Sequence, residues 1–324
     1  MGGFDVYCAI CGCTFSSRLS IDSDDETDYT YDGEVIGESD LEWLDHLRAL
    51  GLNRGVSGDR KSFITGRGYY DDAGAIQVHR GDDPNVPVDP DEKGTHYFTT
   101  YCDWTGDEEF QPVFPFHELC FQEILVRCFK DTPINGDVLF ALCEGLVGND
   151  SNSLPLDYGE PTPPYEQYWE CRKGEEVLVT NPVEIPEVSK YLEGLVDVGK
   201  DDGSDTSSDI FNCLPYELRD KIFQLLPVAS VLALKAASGS MHATRFSWTA
   251  RLDAELPWLW ELRDIDPFTS RKLEGEMSRK IAELDEKSQY TRDGVGYIPG
   301  LVNRRRIWTV CEEIKNLYEE KLLV

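Results

Sequence analysis

The sequence predicts an α+β protein in two parts, an acidic mixed region followed by an all-helical one, and three observations carry that prediction. Charge is divided unevenly: residues 1–208 hold 43 acidic and 14 basic side chains, whereas residues 209–324 hold 18 and 17. Between them runs a stretch from Val198 to Ser208 with no large apolar side chain after Val198, the composition of a solvated linker. Apolar spacing mixes helical and strand periods before that stretch and turns helical after it. With 324 residues and a 40% hydrophobic share, the chain can build two real cores.

In chain order, Ser39 to Leu50 sets Leu41, Leu44, Leu47 and Leu50 at helical spacing behind a Ser39 cap, with Gly51 as the stop, which predicts a short amphipathic helix. Residues 66–116 are rich in Gly, Pro, Asp, Tyr and Thr. Alternating stretches at 75–79 and 95–99 predict short strands joined by turns there. Residues 116–129 predict a helix with an apolar stripe through Leu119, Ile124, Leu125 and Cys128, and residues 137–146 predict a second. Segments 20–40 and 148–168, dominated by Asp, Gly, Ser and Pro, read as exposed loops.

A net charge of -30 and a pI near 4.4 repel phosphate backbones and anionic lipid, which argues against nucleic-acid and membrane-surface binding. The longest apolar run, Leu225 to Leu234, is interrupted by Pro227 and Ser230 and falls short of the roughly 18–20 residues that a bilayer span requires. The opening residues show no basic leader with an apolar stretch behind it, and Val6 stands where a myristoylation signal needs Ser or Thr. These features predict an intracellular protein of the cytoplasm or nucleus, whose ten cysteines are thiols or metal ligands rather than disulfides.

Cys8-Ala-Ile-Cys11 is a C-x2-C pair whose spacing turns two thiolates toward one ion, and Gly12 directly after it permits the tight backbone of a knuckle. His117-Glu-Leu-Cys120 supplies an imidazole and a thiolate three residues apart. Together Cys8, Cys11, His117 and Cys120 make a closed Cys3His set for structural zinc, with Cys13 or Cys102 as substitutes for one ligand. Ordinary buried thiols are the competing reading. His46, His79 and His96 have no companion at ligand spacing. The sequence carries no G-x-S-x-G elbow, Walker loop, H-E-x-x-H or complete dinucleotide fingerprint, so a non-catalytic role is expected.

After the linker, Leu218, Ile222, Leu225 and Leu226 recur at i, i+4, i+7 and i+8, one stripe of a helix that opens near Pro215 and ends at Pro227. Ser230 can cap a following helix in which Val231, Leu234 and Ser238 share a face while Leu232 and Ala236 point elsewhere. Two short helices with apolar residues on several sides need a cover, and burying each Leu or Ile contributes roughly 1.5–3 kcal/mol toward one. Residues 270–289, with Leu273, Met277, Ile281 and Leu284, and residues 303–323 predict two further helices packed on Trp248, Trp258 and Trp260. Arg304-Arg305-Arg306 reads as a solvated helix face.

Leu214-Pro215, Glu217-Leu218, Ile222, Leu225-Leu226-Pro227, Ser230, Val231-Leu232, Leu234 and Ala237-Ser238 together resemble an F-box. The segments Phe246 to Arg251 and Glu255 to Leu262 are similar to the extension found in fungal F-box proteins, and the opening C-A-I-C-G with its later H-x2-C is similar to N-terminal regions of that group. The resemblance implies that Leu214, Pro215, Leu218, Ile222, Leu225, Leu226, Pro227, Leu232 and Leu234 dock on the Skp-type adaptor, and through it on the cullin, of an SCF ubiquitin ligase. An unknown target protein, expected to present a basic surface, would be held by the rest of the chain. The resulting division is an acidic α+β domain over 1–197, a linker over 198–208, an F-box over 209–256 and a helical extension over 257–324. A scaffold without a ubiquitin link and a zinc-dependent hydrolase are the alternatives.

Overall fold

The computed structural model describes residues 5–22, 29–53, 61–70, 75–78, 96–101, 112–130, 132–147, 152–164, 167–193, 195, 209–291 and 296–323. The expected linker, Cys102 and His79 lie outside the described residues. The chain forms two compact units, a mixed α+β unit and a helical one.

The first unit is built on a curled antiparallel sheet of six strands, β1 (Leu47–Leu52), β2 (Ser62–Ile64), β3 (Gly68–Tyr70), β4 (Ala75–Val78), β5 (His96–Thr99) and β6 (Phe114–His117). The order is β2-β1-β3-β4-β5, and β6 pairs with β1 in the register Leu47↔His117 to Leu50↔Phe114. A bridge between Thr100 and Val113 ties the end of β5 to the entry of β6, so the sheet curls back on itself.

The helix expected over 39–50 is instead one 3-10 turn, Glu42–Leu44, followed by β1. The cause is tertiary. β1 pairs with β6 as well as with β2 and β3, and a strand enclosed in this way is buried on both faces, so its leucines mimic helical spacing over a few residues. Gly51 is not a helix stop but sits opposite Phe63, whose ring would lie 2.3 Å from any added Cβ. Ser39 caps nothing here; its hydroxyl accepts from the Asn181 amide at 2.7 Å.

Strands are present at 75–78 and 96–99, close to their expected places. The helix expected from Phe116 starts after His117, which closes β6, and passes through a π-helical turn, Cys120–Leu125, into α2 (Val126–Phe129). α3 (Gly136–Leu146) follows, with Asn135 as its cap. The two expected loops are not simply exposed. The first carries the short α1 (Gly33–Ile36) and fully buried Tyr31, and the second buries Leu154, Leu156 and Tyr158.

The last helix, α10 (Pro299–Leu322), belongs to this first unit and not to a helical extension over 257–324. Its Leu301, Val302, Ile307, Val310, Cys311 and Ile314 are buried, and it packs on α2, α3, the π-helical turn and the 3-10 turn Glu176–Leu178. The arginine triplet is therefore not a solvated face. Arg304 is fully buried and donates to the carbonyls of Pro182 (2.6 Å) and Val183 (2.8 Å), groups in an irregular segment that lacks a ladder of its own.

The second unit begins at Ile185, so α4 (Pro186–Glu193) leaves the expected 1–197 domain and packs here, with Lys280 Nζ 4.8 Å above the Tyr191 ring. It continues through α5 (Tyr216–Leu225), α6 (Val228–Ala237), α7 (Gly239–His242), α8 (Trp248–Glu255) and α9 (Arg271–Lys287). Pro215 and Pro227 occupy the cap positions of α5 and α6, leaving Ser230 inside the first turn of α6 rather than capping it. α9 matches its predicted span, with Ser270 as its cap and Leu273, Met277, Ile281 and Leu284 buried.

Asp209 anchors the start of this helical run. Its carboxylate accepts from the Ser238 hydroxyl at 2.7 Å and from the Ser240 and Phe211 amides at 2.9 and 3.0 Å. Hydrogen bonds from Ser240 and then Ser238 hold its pKa well below the ordinary Asp value. A depressed acid stabilises the fold above its unfolded pKa, and the contribution is lost as pH falls through the folded value. Asp209→Asn is accordingly expected to lower the melting temperature of the second unit at pH 7 and to flatten its decline on acidification. Melting curves between pH 2 and 7 check this, and parallel curves for the two proteins would remove Asp209 from the account.

Candidate functional site

The residues singled out from C-x2-C and H-x2-C spacing converge. The donor atoms of Cys8, Cys11, His117 and Cys120 all lie within 4.8 Å of one another, and all four residues are fully buried. They form a cluster able to hold a metal ion.

The local chain builds this geometry from both sides. The Gly12 amide donates to the Cys8 carbonyl at 2.8 Å and the Cys8 amide to the Cys13 carbonyl at 2.9 Å, closing a knuckle. Gly12 adopts φ +74, and a Cβ there would meet the Tyr158 ring at 3.0 Å, so only glycine suits the position. The Ala9 amide donates to the Pro115 carbonyl at 2.8 Å and fastens the knuckle to β6. His117 ends that strand and Cys120 opens the π-helical turn. The two thus reach the same point from a strand-to-helix junction, not from within the single helix expected over 116–129.

The imidazole is held by polar contacts at both nitrogens and by two flanking rings. Its Nε2 lies 2.9 Å from the Thr14 carbonyl, which requires the proton on Nε2 and leaves the Nδ1 lone pair facing Cys11 Sγ at 3.3 Å and Cys120 Sγ at 4.0 Å. Phe15 and Trp43 flank the ring at 4.7 and 4.6 Å. The indole of Trp43 is in turn fixed by donating to the Val179 carbonyl at 2.9 Å. Next to His117, buried Glu118 pairs with Arg48, whose Nε donates to Oε1 at 2.8 Å, and with Arg67. Burial alone would raise its carboxyl, but Arg67 and Arg48 hold it below the usual range.

Electrostatics distinguish the four thiols near this point. Burial pushes Cys11 and Cys120 well above the ordinary thiol pKa. Burial acts on Cys8 in the same direction, yet hydrogen bonds with Cys11 and Cys120 and the nearby His117 outweigh it and hold Cys8 well below that value. The amides of Cys11 and His117 both donate to Cys8 Sγ at 3.4 Å. Cys13, expected as a substitute for one ligand, is not among the four donors that lie within 4.8 Å of one another: its thiol donates to the Leu178 carbonyl at 3.1 Å and receives Arg306 Nη2 at 3.3 Å. The thiols of Cys128 and Cys143 are pushed up to about 12 by burial, as befits packing residues.

The apolar residues expected to meet an adaptor divide into three groups. Leu225 is 84% exposed and Leu218 46% exposed, and the two lie seven residues apart on the outer face of α5 between the exposed Pro215 and Pro227. Leu214, Ile222, Leu226 and Leu234 are half-buried, the last three against Phe223, Val231 and Met241 in the core of the unit. Leu232 is fully buried and is not available to a partner. α6 packs against α7, α8 and α9 and is covered from within the unit, so the outward face comes from α5 alone.

Sequence reasoning missed the supports of the cluster. The Thr14 carbonyl has no side-chain signature, and the approach of Trp43 and Arg306 depends on strand pairing and on a helix from the far end of the chain. Among the described residues, no helix is long and apolar enough to cross a membrane. Family models, curated proteins and solved structures return no match to this chain.

Proposed function

We propose that this chain is a non-catalytic receptor that joins a ligase adaptor to a target protein, as an F-box subunit of SCF type does. The observation that carries this reading is the outer face of α5, where Leu218 and Leu225 stand in solvent between two prolines while Phe223 anchors the opposite face. Exposed apolar side chains on a rigid helix suit docking in a partner groove, each contributing roughly 1.5–3 kcal/mol when covered. The receptor acts by proximity, holding its target near the transferring enzyme, with no covalent step of its own.

Target contact falls to the first unit, which offers a groove of about 840 Å³ lined by Leu50, Phe63, Ile64, Phe121, Val126 and Leu139. The acidic excess of that part of the chain favours a target with basic flanks, whose binding weakens as salt is raised.

The ion suited to the cluster is zinc in a structural role. Three thiolates and one imidazole are a closed tetrahedral set, and bonds of about 2.3 Å to sulfur and 2.0–2.1 Å to nitrogen place ligand atoms roughly 3.5–3.8 Å apart. The separations in the cluster approach those values, and complete burial leaves no position for an activated water.

A pull-down with purified Skp-type adaptor tests the docking reading. The wild-type chain should be retained, and Leu218→Asp with Leu225→Asp should lose at least 100-fold in affinity without a change in melting temperature, because both positions are already exposed. Equal retention of wild type and variant, or of neither, refutes the assignment.

A further inference from the structure

Arg306 is a buried cation with no carboxylate partner among the described residues. Its five contacts go to neutral acceptors and one sulfur: Nη1 donates to the carbonyls of Cys11 (2.8 Å) and Tyr158 (3.1 Å), Nη2 to Cys13 Sγ (3.3 Å) and Asn303 Oδ1 (2.9 Å), and Nε to the same Asn303 oxygen (3.3 Å). A guanidinium taken out of water needs a compensating negative charge nearby. The other buried arginine of this region that reaches a charge, Arg48, has Glu118. Arg306 has instead the Cys13 sulfur and the peptide of Cys11, whose side chain is one of the four clustered donors.

We propose that Arg306 is the charge-compensating and positioning residue of the metal centre, and that it couples metal loading to the seating of α10. This inference rests on the structural-zinc reading above. Three thiolates around a divalent cation with a neutral imidazole carry one net negative charge, which the guanidinium balances from outside the ligand set. By donating to the Cys11 carbonyl, Arg306 also fixes the turn that aims Cys11 Sγ. The contact links residues 295 positions apart, so the last helix cannot seat independently of the knuckle at the opposite end of the chain. Asn303, one turn earlier, completes the latch: its Oδ1 accepts from Arg306 while its amide donates to the carbonyls of Leu178 (3.3 Å) and Thr180 (2.7 Å).

The test uses the full chain, titrated with zinc against a chromophoric chelator and with cobalt as a spectroscopic reporter. Wild type should bind one ion and show the thiolate charge-transfer and tetrahedral ligand-field bands of cobalt. Arg306→Gln should weaken binding about 10- to 100-fold, the usual range for a group that supports metal ligands. Arg306→Lys, which keeps the charge, should recover part of that loss. Arg304→Gln serves as the packing control, since it also removes a buried arginine from α10 but one that donates to Pro182 and Val183; it should stay within about threefold of wild type. Amide exchange across α10 should rise on removing zinc from wild type and be high in Arg306→Gln regardless of zinc. Unchanged affinity in Arg306→Gln, or equal losses in Arg304→Gln and Arg306→Gln, overturns the inference. A wild-type chain that binds no ion overturns the metal reading beneath it.

Discussion

On the structural-zinc reading proposed above, Cys8→Ser or Cys120→Ser is expected to unfold the first unit, not merely to weaken it. Structural zinc contributes an apparent binding free energy of about 10–16 kcal/mol near neutral pH, against a total stability of about 5–15 kcal/mol for an ordinary domain. The knuckle is irregular chain attached to β6 by the Ala9 amide, and four buried donors without an ion would face one another with their protons still to place. Chelation should reproduce the effect in the wild type. Acidification should do so as well, because the ligands must be deprotonated: the ion is held at higher pH and released as pH falls and the thiolates take up protons. Elemental analysis combined with amide exchange in β1 and β6 reads the outcome. A Cys8→Ser chain that keeps both its ion and its protection removes Cys8 from the ligand set.

The second large effect lies in the helical unit. Lys235, 2% exposed, donates from Nζ to the carbonyls of Met241 (3.2 Å), His242 (2.7 Å) and Thr244 (2.8 Å), closing the end of α7. It also stands 4.8 Å over the Phe268 ring and 3.7 Å from Glu274, which is fully buried and accepts from His242 at 2.8 Å. Burial lowers the Lys235 pKa and raises that of Glu274, with each partner opposing the shift of the other. Lys235→Ala is therefore expected to cost about 3–5 kcal/mol, since it leaves three carbonyls without their donor and removes a cation from beside the buried Glu274, which keeps its hydrogen bond with His242. Lys235→Met with Glu274→Leu should recover much of that loss by removing both charges together. Urea denaturation with amide exchange in α6 and α9 measures both, and a Lys235→Ala protein as stable as wild type would show that the pair is not what holds these helices.

Legibility followed the range of the interactions involved. The span of α9 could be read because Ser270 and the spacing of Leu273, Met277, Ile281 and Leu284 are local facts. The four clustered donors could be read because ligand chemistry restricts spacing within each pair, although nothing in the sequence required the two pairs to meet. β1 was misread because Leu44, Leu47 and Leu50 satisfy a helical period, while the pairing with β6 that makes a strand of them lies more than sixty residues further on. Leu232 was misplaced for a related reason: a helical wheel gives directions, but it does not say that α9 covers the side on which Leu232 lies. Arg304 read as solvated because its acceptors, the Pro182 and Val183 carbonyls, have no letter in a sequence, and Arg306 because Cys11, Cys13 and Tyr158 meet it only in the fold.

The first unit draws on both ends of the chain, with the helical unit lying between them in sequence. On a ribosome, the knuckle and the sheet emerge while the helix that completes their core is still unmade. At roughly 5–20 residues per second that interval lasts about 7 to 28 seconds. The cysteine-rich half must wait, incomplete and exposed to chaperones and proteases, whereas the helical segment can close as soon as its own residues clear the exit tunnel.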